Sequence, residues 1–276
     1  MDPSVWLAER LPGVEAALEA ALPVPSECPS RLLAAIRHLL FPGGKRLRPA
    51  LALAGAESVG APAERGLPMA VAVELVHTYS LIHDDLPCMD DDALRRGRPS
   101  VHVAFGEATA VLAGDALLAI AFGALAEAKT EPAHQVAALR ELSRAAGAAG
   151  LVGGQHDDLA AGARDPGAIE GVHARKSGAL FAAAIAGSAC LCGAPEPALA
   201  TLRRFGIQLG VAFQIADDLL DADADAGCSL VAAIGAPAAR DRAEALLAAS
   251  LRSLEPLGAP ADPLRALARL AVRRSA

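Results

Sequence analysis

Residues 71–92 read VAVELVHTYSLIHDDLPCMDDD, and this stretch decides the fold. From Val71 to Ile82 it is mostly apolar without strand-like alternation, which is the pattern of a buried helix. The helix then runs into Asp84, Asp85, Asp90, Asp91 and Asp92. Carboxylates so crowded at the end of a buried helix repel one another unless a positive charge sits among them. Pro87 interrupts the helical ladder, so the segment can curl and return Asp90 toward Asp84. Mg²⁺ takes oxygen ligands and keeps waters and substrate phosphates in its shell, which suits such a cluster. A solvated helix end has the same composition, so the run alone leaves both readings open.

The surroundings narrow the choice. Leu94-Arg95-Arg96-Gly97-Arg98-Pro99 follows at once, and guanidinium forks match phosphate oxygens. A second acidic group, FQIADDLLD from Phe213 to Asp221, emerges from another apolar helix. There Asp217 and Asp221 are four apart on one face with Asp218 beside them, an arrangement that a bound cation would relieve. GGKRLRP, from Gly43 to Pro49, sets Lys45, Arg46 and Arg48 at a helix start, where the helix dipole also favours anions. His77 lies two helical turns before Asp84 on the same face. Lys176 ends a polar segment just ahead of an apolar helix and is one of only three lysines. Two acidic clusters on facing helices of a bundle would share a cavity between them.

Outward from these motifs the chain stays helical. Three- and four-residue apolar spacing covers Val14–Leu22, Arg31–Leu40, Met69–His83, Ala108–Ala128, Val136–Ala149, Ala179–Cys192, Leu199–Leu220 and Ala238–Leu254. Gly and Pro break it near residues 41–44, 60–62, 87, 97–99, 165–167, 194–195 and 258–260. No linker divides the chain, so the expectation is an all-α fold: one domain over residues 1–276, a bundle of about ten helices around a central cavity. The composition is 53% hydrophobic but only 3% aromatic, so the core must be Ala, Leu, Val and Ile, with closely approaching helices. A net charge of −7 argues against nucleic acid as partner. The cysteines (28, 88, 190, 192, 228) lack metal-type spacing, and with no secretory leader at Met1–Arg10 they read as reduced thiols in a cytoplasmic protein. The apolar stretch Ala179–Ala194 is too short to span a membrane and reads as a core helix.

The chain resembles the trans-isoprenyl diphosphate synthases, the polyprenyl synthetases, of the short-chain bacterial farnesyl/geranylgeranyl type. The resemblance is carried by GGKRLRP, ELVHTYSLIHDDLPCMDDDALRRGRPSVH, AVLAGDALL, GLVGGQHDDL, HARKSGALF and FQIADDLLD, in that order and spacing. It implies a Mg²⁺-dependent prenyltransferase that condenses isopentenyl diphosphate with dimethylallyl or geranyl diphosphate to give farnesyl diphosphate. Under it, Lys45, Arg48, His77 and Arg96 hold isopentenyl diphosphate, and Arg95 the allylic diphosphate. Asp84, Asp90 and Asp217 hold three Mg²⁺ ions, supported by Asp85, Asp218 and Asp221. Lys176, Ser177 and Gln214 stabilise the allylic end as its bond breaks, and Phe213 is a further substrate-binding residue. Tyr79, five residues before Asp84, and Ser80 form the floor that stops the product at fifteen carbons. A homodimer is implied as well.

Two departures from the family pattern stand out. Ala93 replaces an acid, and after Asp221 the chain runs ADADAGCS without the lysines that a closing lid usually carries. Arg273 and Arg274 are candidates to compensate. A geranylgeranyl synthase and a non-catalytic subunit that keeps the fold are the alternatives; a terpene cyclase fits poorly, because it would lack GGKRLRP and the second Asp cluster.

Overall fold

In the computed structural model, which describes residues 1–160, 165–220 and 228–273, helices do nearly all the building. They are α1 (Pro3–Ala21), α2 (Ser30–Leu40), α3 (Leu47–Glu57), α4 (Leu67–Asp84), α5 (Val101–Phe105), α6 (Glu107–Ala126), α7 (Pro132–Ala146), α8 (Leu151–Leu159), α9 (Pro166–His173), α10 (Ala179–Leu191), α11 (Glu196–Leu220), α12 (Leu230–Ile234), α13 (Ala236–Ser253) and α14 (Asp262–Val272). The excess over ten comes from short helices such as α5 and α12, whose few residues carry no readable period. One small β-ladder also escaped the pattern: β1 (Leu94–Arg95) pairs antiparallel with β2 (Arg98–Pro99). Its turn residues, Arg96 and Gly97, both have positive φ (53° and 72°), as a tight two-residue hairpin requires.

At the centre is α10, every residue of which from Leu180 to Leu191 is buried. It packs on α3, α7 and α11, and α4 packs on α6 and α3. Aromatic bulk is scarce, so small residues bring these helices together. A side chain on Gly206 of α11 would strike the backbone of Ala182, and one on Gly210 the backbone of Gly178. The resulting core is continuous from Trp6 to Val272. Against α4, α6 runs antiparallel: His83 bonds the Val111 carbonyl at one end (3.1 Å), and Val71 and Ala124 line a common cavity at the other.

One face of α6 stays open. Its mean hydropathy reaches 1.9, yet Val111 and Leu112 are 40% and 56% exposed. By length and composition alone this helix could cross a membrane, a property the sequence reading did not assign to it.

The close helix crossings are testable. Gly206→Val should overpack the α10–α11 contact and cost about 1–3 kcal/mol in a denaturant melt. Gly13→Ala, in α1 where an added methyl meets nothing within 4 Å, should instead stabilise by roughly 0.5–1 kcal/mol.

Candidate active site

The GGKRLRP segment is set by one arginine. Arg46 adopts a left-handed backbone (φ 51°) and is only 3% exposed. Its guanidinium donates to Glu74 Oε1 on α4 (2.6 Å), to Glu15 Oε1 on α1 (2.7 Å) and to the Leu40 carbonyl (2.7 Å). Burial disfavours its charge, but the hydrogen bonds to Glu15 and the charge of Glu74 outweigh this and hold its pKa above the ordinary value. Arg46 therefore does not belong with the phosphate-binding cations; residue type and spacing did not separate it from Lys45 and Arg48, although the family resemblance left it out of the diphosphate-holding set.

Around it the other cations gather. Arg48 lies over the Phe181 ring (5.1 Å), and Phe181 packs against Phe213 of α11. Arg96 comes within reach of Gly44 and bonds the Leu39 carbonyl at 3.5 Å. His77 sits among them: burial first, then the charges of Arg48, Arg96, Arg46 and Arg95, push its pKa well below the usual imidazole value. Arg96 is likewise pushed down, by burial and by Arg46 and Arg95. A neutral imidazole surrounded by guanidinium groups is a seat prepared for an anion. Lys45 is exposed at its rim.

The first acidic cluster curls as Pro87 predicted. The Asp90 N–H donates to the Asp84 carbonyl (2.8 Å), and Asp91 takes a positive φ of 54°. Asp84 and Asp90 both lie near Lys176 and Arg95. Burial raises the Asp84 pKa to about 7, with Asp90 and Asp85 adding to the rise and Lys176 opposing it. Asp85 departs from the expected metal-supporting position. It is fully buried, and its Oδ1 accepts from Arg95 Nε (2.8 Å) and Nη2, while Asp92 takes a further bond from the same guanidinium (2.7 Å). Asp85 thus fixes Arg95 rather than facing the cleft, and Arg95 is held by acids.

The opposite wall comes from α8, the turn 174–178 and α11. The chain there winds as a single π-helical turn, Ala174–Gly178, a deformation that often marks functional sites. It presents Lys176, whose Nζ bonds Asp158 Oδ2 (2.5 Å), and Ser177, whose hydroxyl donates to Gln214 Oε1 (2.8 Å). Gln214 in turn donates to Asp218 Oδ1 (3.1 Å). Asp218 also accepts from the Leu230 N–H (3.3 Å) and lies 3.8 Å from His173. Asp217, half-buried, occupies the neighbouring position on α11. The charge of Asp158 is felt by both Asp90 and Asp218, so it stands between the two clusters. Asp158, within GLVGGQHDDL, is not among the residues expected from sequence; the paired acids of His-Asp-Asp were the available signal. Asp221 and Arg274, together with the rest of residues 221–227, lie outside the described residues.

The donor set fits Mg²⁺. It is all oxygen, and among the described residues no three acid, thiol or imidazole groups stand close enough to hold a cation unaided. Mg²⁺ keeps waters and substrate phosphates in its shell, which such oxygen donors suit. Below this mouth lies a cavity of about 320 Å³ lined by Tyr79, Ser80, His83, Asp84, Met89, Leu151 and Gln155 among others. Tyr79 is 6% exposed and packs edge-on to His83 at 5.7 Å.

These features define a helical bundle with two differently built clusters of charge, the acidic one at a largely apolar cavity. The chain belongs to the polyprenyl synthetase family, whose model matches residues 29–247. It is 43% identical over 226 residues to geranylgeranyl pyrophosphate synthase 7, chloroplastic, of Arabidopsis thaliana, covering 80% of this chain and 65% of that one. Against the farnesyl diphosphate synthase of Bacillus subtilis (strain 168) identity is 46% over 200 residues, covering 71% and 68%. The match thus spans about two thirds of the length of these relatives. A solved apo structure of an FPP/GFPP synthase from Zymomonas mobilis aligns over 98% of both chains, with a TM-score of 0.90 and 38% identity.

The raised Asp84 pKa has a stability consequence. Below the unfolded carboxylate value both states hold the proton; between there and about 7 only the folded state does, so this group's stabilising contribution is lost as pH rises through that window. In a chelator at pH 8, Asp84→Asn should therefore melt several degrees above the parent, and the gap should close as pH falls toward 4. An unchanged gap across that range would show that Asp84 carries no burial penalty.

Proposed function

We propose that the chain condenses isopentenyl diphosphate with dimethylallyl or geranyl diphosphate, with Mg²⁺, and releases mainly farnesyl diphosphate. The observation that carries this reading is the pair of unlike seats. One is a nest of cations, Arg48 and Arg96 around neutral His77, with Lys45 exposed close by in the chain, which suits a diphosphate bound directly. The other is lined by Asp84, Asp90 and Asp217 and suits a diphosphate that arrives with divalent cations. Asp84 of the acidic seat lines the same cavity as Tyr79, and His77 of the cationic seat lies on the same helix, α4.

Mg²⁺ bound there would neutralise charge on the departing diphosphate. Lys176, close to Asp84 and Asp90, adds a fixed positive charge on the same side. As the allylic carbon–oxygen bond breaks, its electron pair leaves on the diphosphate oxygen. The C4 double bond of isopentenyl diphosphate supplies the pair for the new carbon–carbon bond, and the C2 proton passes to the released diphosphate. The apolar walls, Leu151, Met89 and Tyr79 among them, keep water from the cation. Burial and the Asp84 charge push the Tyr79 phenol up to about 12, so it stays neutral as it blocks the cavity. A bulky floor limits chain growth by volume, which favours fifteen carbons over twenty.

We further propose that a second copy of this chain covers the open face of α6. Val111 and Leu112 are exposed there on a helix otherwise built like a core element.

Incubating the purified protein with Mg²⁺, isopentenyl diphosphate and geranyl diphosphate should yield a fifteen-carbon product, and Tyr79→Ala should lengthen it to twenty carbons or more. A parent that folds but condenses nothing would move the non-catalytic-subunit reading to first place. Light scattering should give twice the chain mass, and Leu112→Glu should shift it toward the monomer.

A further inference from the structure

The polar groups expected at the allylic end are already engaged with one another. Ser177 donates to Gln214, and Gln214 donates to Asp218. Gln155 of α8 is different. It lines the same cavity as Asp84 and Tyr79, is 8% exposed, and neither its Oε1 nor its Nε2 has a hydrogen-bond partner among the described residues. A buried amide left without partners carries its full desolvation cost. Such a group persists where a ligand supplies what the protein does not.

Its position says which part of a ligand it meets. The preceding Gly154 lies directly on the backbone of Arg175 and Lys176, where any side chain would collide. This contact sets Gln155 beside the π-helical turn that carries Lys176 and Ser177. Of the other lining residues, Leu151, Met89 and Leu159 are apolar and hold no dipole to offer a carbon chain.

We propose that Gln155 is a further catalytic residue of the prenyl-transfer reaction, its amide oxygen facing the allylic carbon from which diphosphate departs. The inference rests on the function proposed above. When the carbon–oxygen bond breaks and its electron pair leaves with diphosphate, the carbon becomes cationic. A carbonyl dipole fixed in a dry pocket favours that charge without reorganising. An amide oxygen is also a poor nucleophile, so it stabilises the cation without capturing it, as a carboxylate at the same place would.

The test is Gln155→Met, which keeps the length and removes the dipole. Replacing a partnerless buried amide by an apolar group of similar shape should leave the melting temperature equal or higher. Two inert probes, bound with Mg²⁺ and followed by calorimetry, separate the roles. One is geranyl thiolodiphosphate, whose tail is neutral; the other is a prenyl diphosphate analogue with an ammonium group at the position of the cation. The variant should bind the ammonium probe at least tenfold more weakly than the parent and the neutral probe within twofold. Its kcat should fall ten- to a hundredfold with KM for both substrates within twofold.

Equal weakening of both probes, or unchanged kcat, would overturn the proposal and make Gln155 a packing or diphosphate-holding residue. If the parent condenses substrates normally while the variant shows no discrimination, only this inference fails. If the parent binds neither probe and condenses nothing, the function proposed above fails and takes the inference with it.

Discussion

The buried guanidinium of Arg46 is the point from which the site is hung. It joins Glu15 of α1, the end of α2 and Glu74 of α4, and it forces the backbone between them into a left-handed turn. Breaking such a pair by removing one partner costs about 3–5 kcal/mol, because the other charge is left stranded. Its value is less in stability than in position. With Arg46 fixed, Lys45 is left exposed at the rim while Arg48 starts α3 against Phe181. Gly43 has no side chain because the Arg46 guanidinium fills that space, and Gly44 is bare where Arg96 approaches. One structural cation thereby organises three others.

The bundle serves the same end by different means. Small residues let α10 and α11 approach until backbone meets backbone at Gly206 and Gly210, which leaves little freedom for the helices to slide. The acid-bearing ends of α4 and α11 and the turn 174–178 are thus held where the charges of Asp84, Asp90, Asp158 and Asp218 are felt across one space. Repulsion is tolerated because burial raises the proton affinity of Asp84, Asp90 and Asp218, Asp84 to about 7. Rigid packing supplies the energy that holds carboxylates close before any cation arrives.

Much of this was legible in the sequence, and the limits have physical causes. Long helices such as α4 and α11 repeat their apolar period several times and could be read directly, as could the curl at Pro87. Helices of five residues and a two-residue ladder contain less than one informative period, so α5, α12 and the hairpin were invisible. Residue type showed that arginines and aspartates gather near the site but not how they pair. Arg46 and Arg48 look alike on paper, yet one is buried among acids. Asp84 and Asp85 are neighbours, yet a helix turns successive side chains about 100° apart, so one faces the cleft and the other Arg95. Asp158 and Gln155 were hidden for another reason: the lysine that pairs with Asp158 and the cavity that Gln155 lines are brought near only by the packing of α8 on its neighbours.

The resting pairs of the site also decide which anions it ignores. Lys176 lies on Asp158, and Arg95 lies on Asp85 and Asp92, so two of the cations nearest the acidic seat are already neutralised. A simple anion such as inorganic phosphate would have to part these pairs while facing Asp84 and Asp90 with nothing to screen them. A diphosphate escorted by divalent cations would meet no such barrier, since Asp84 and Asp90 would face the metals and leave Lys176 and Arg95 for the phosphates. Under the proposed function, the acidic wall would thus act as a counter-ion gate, rejecting bare phosphates by their lack of metal rather than by their shape.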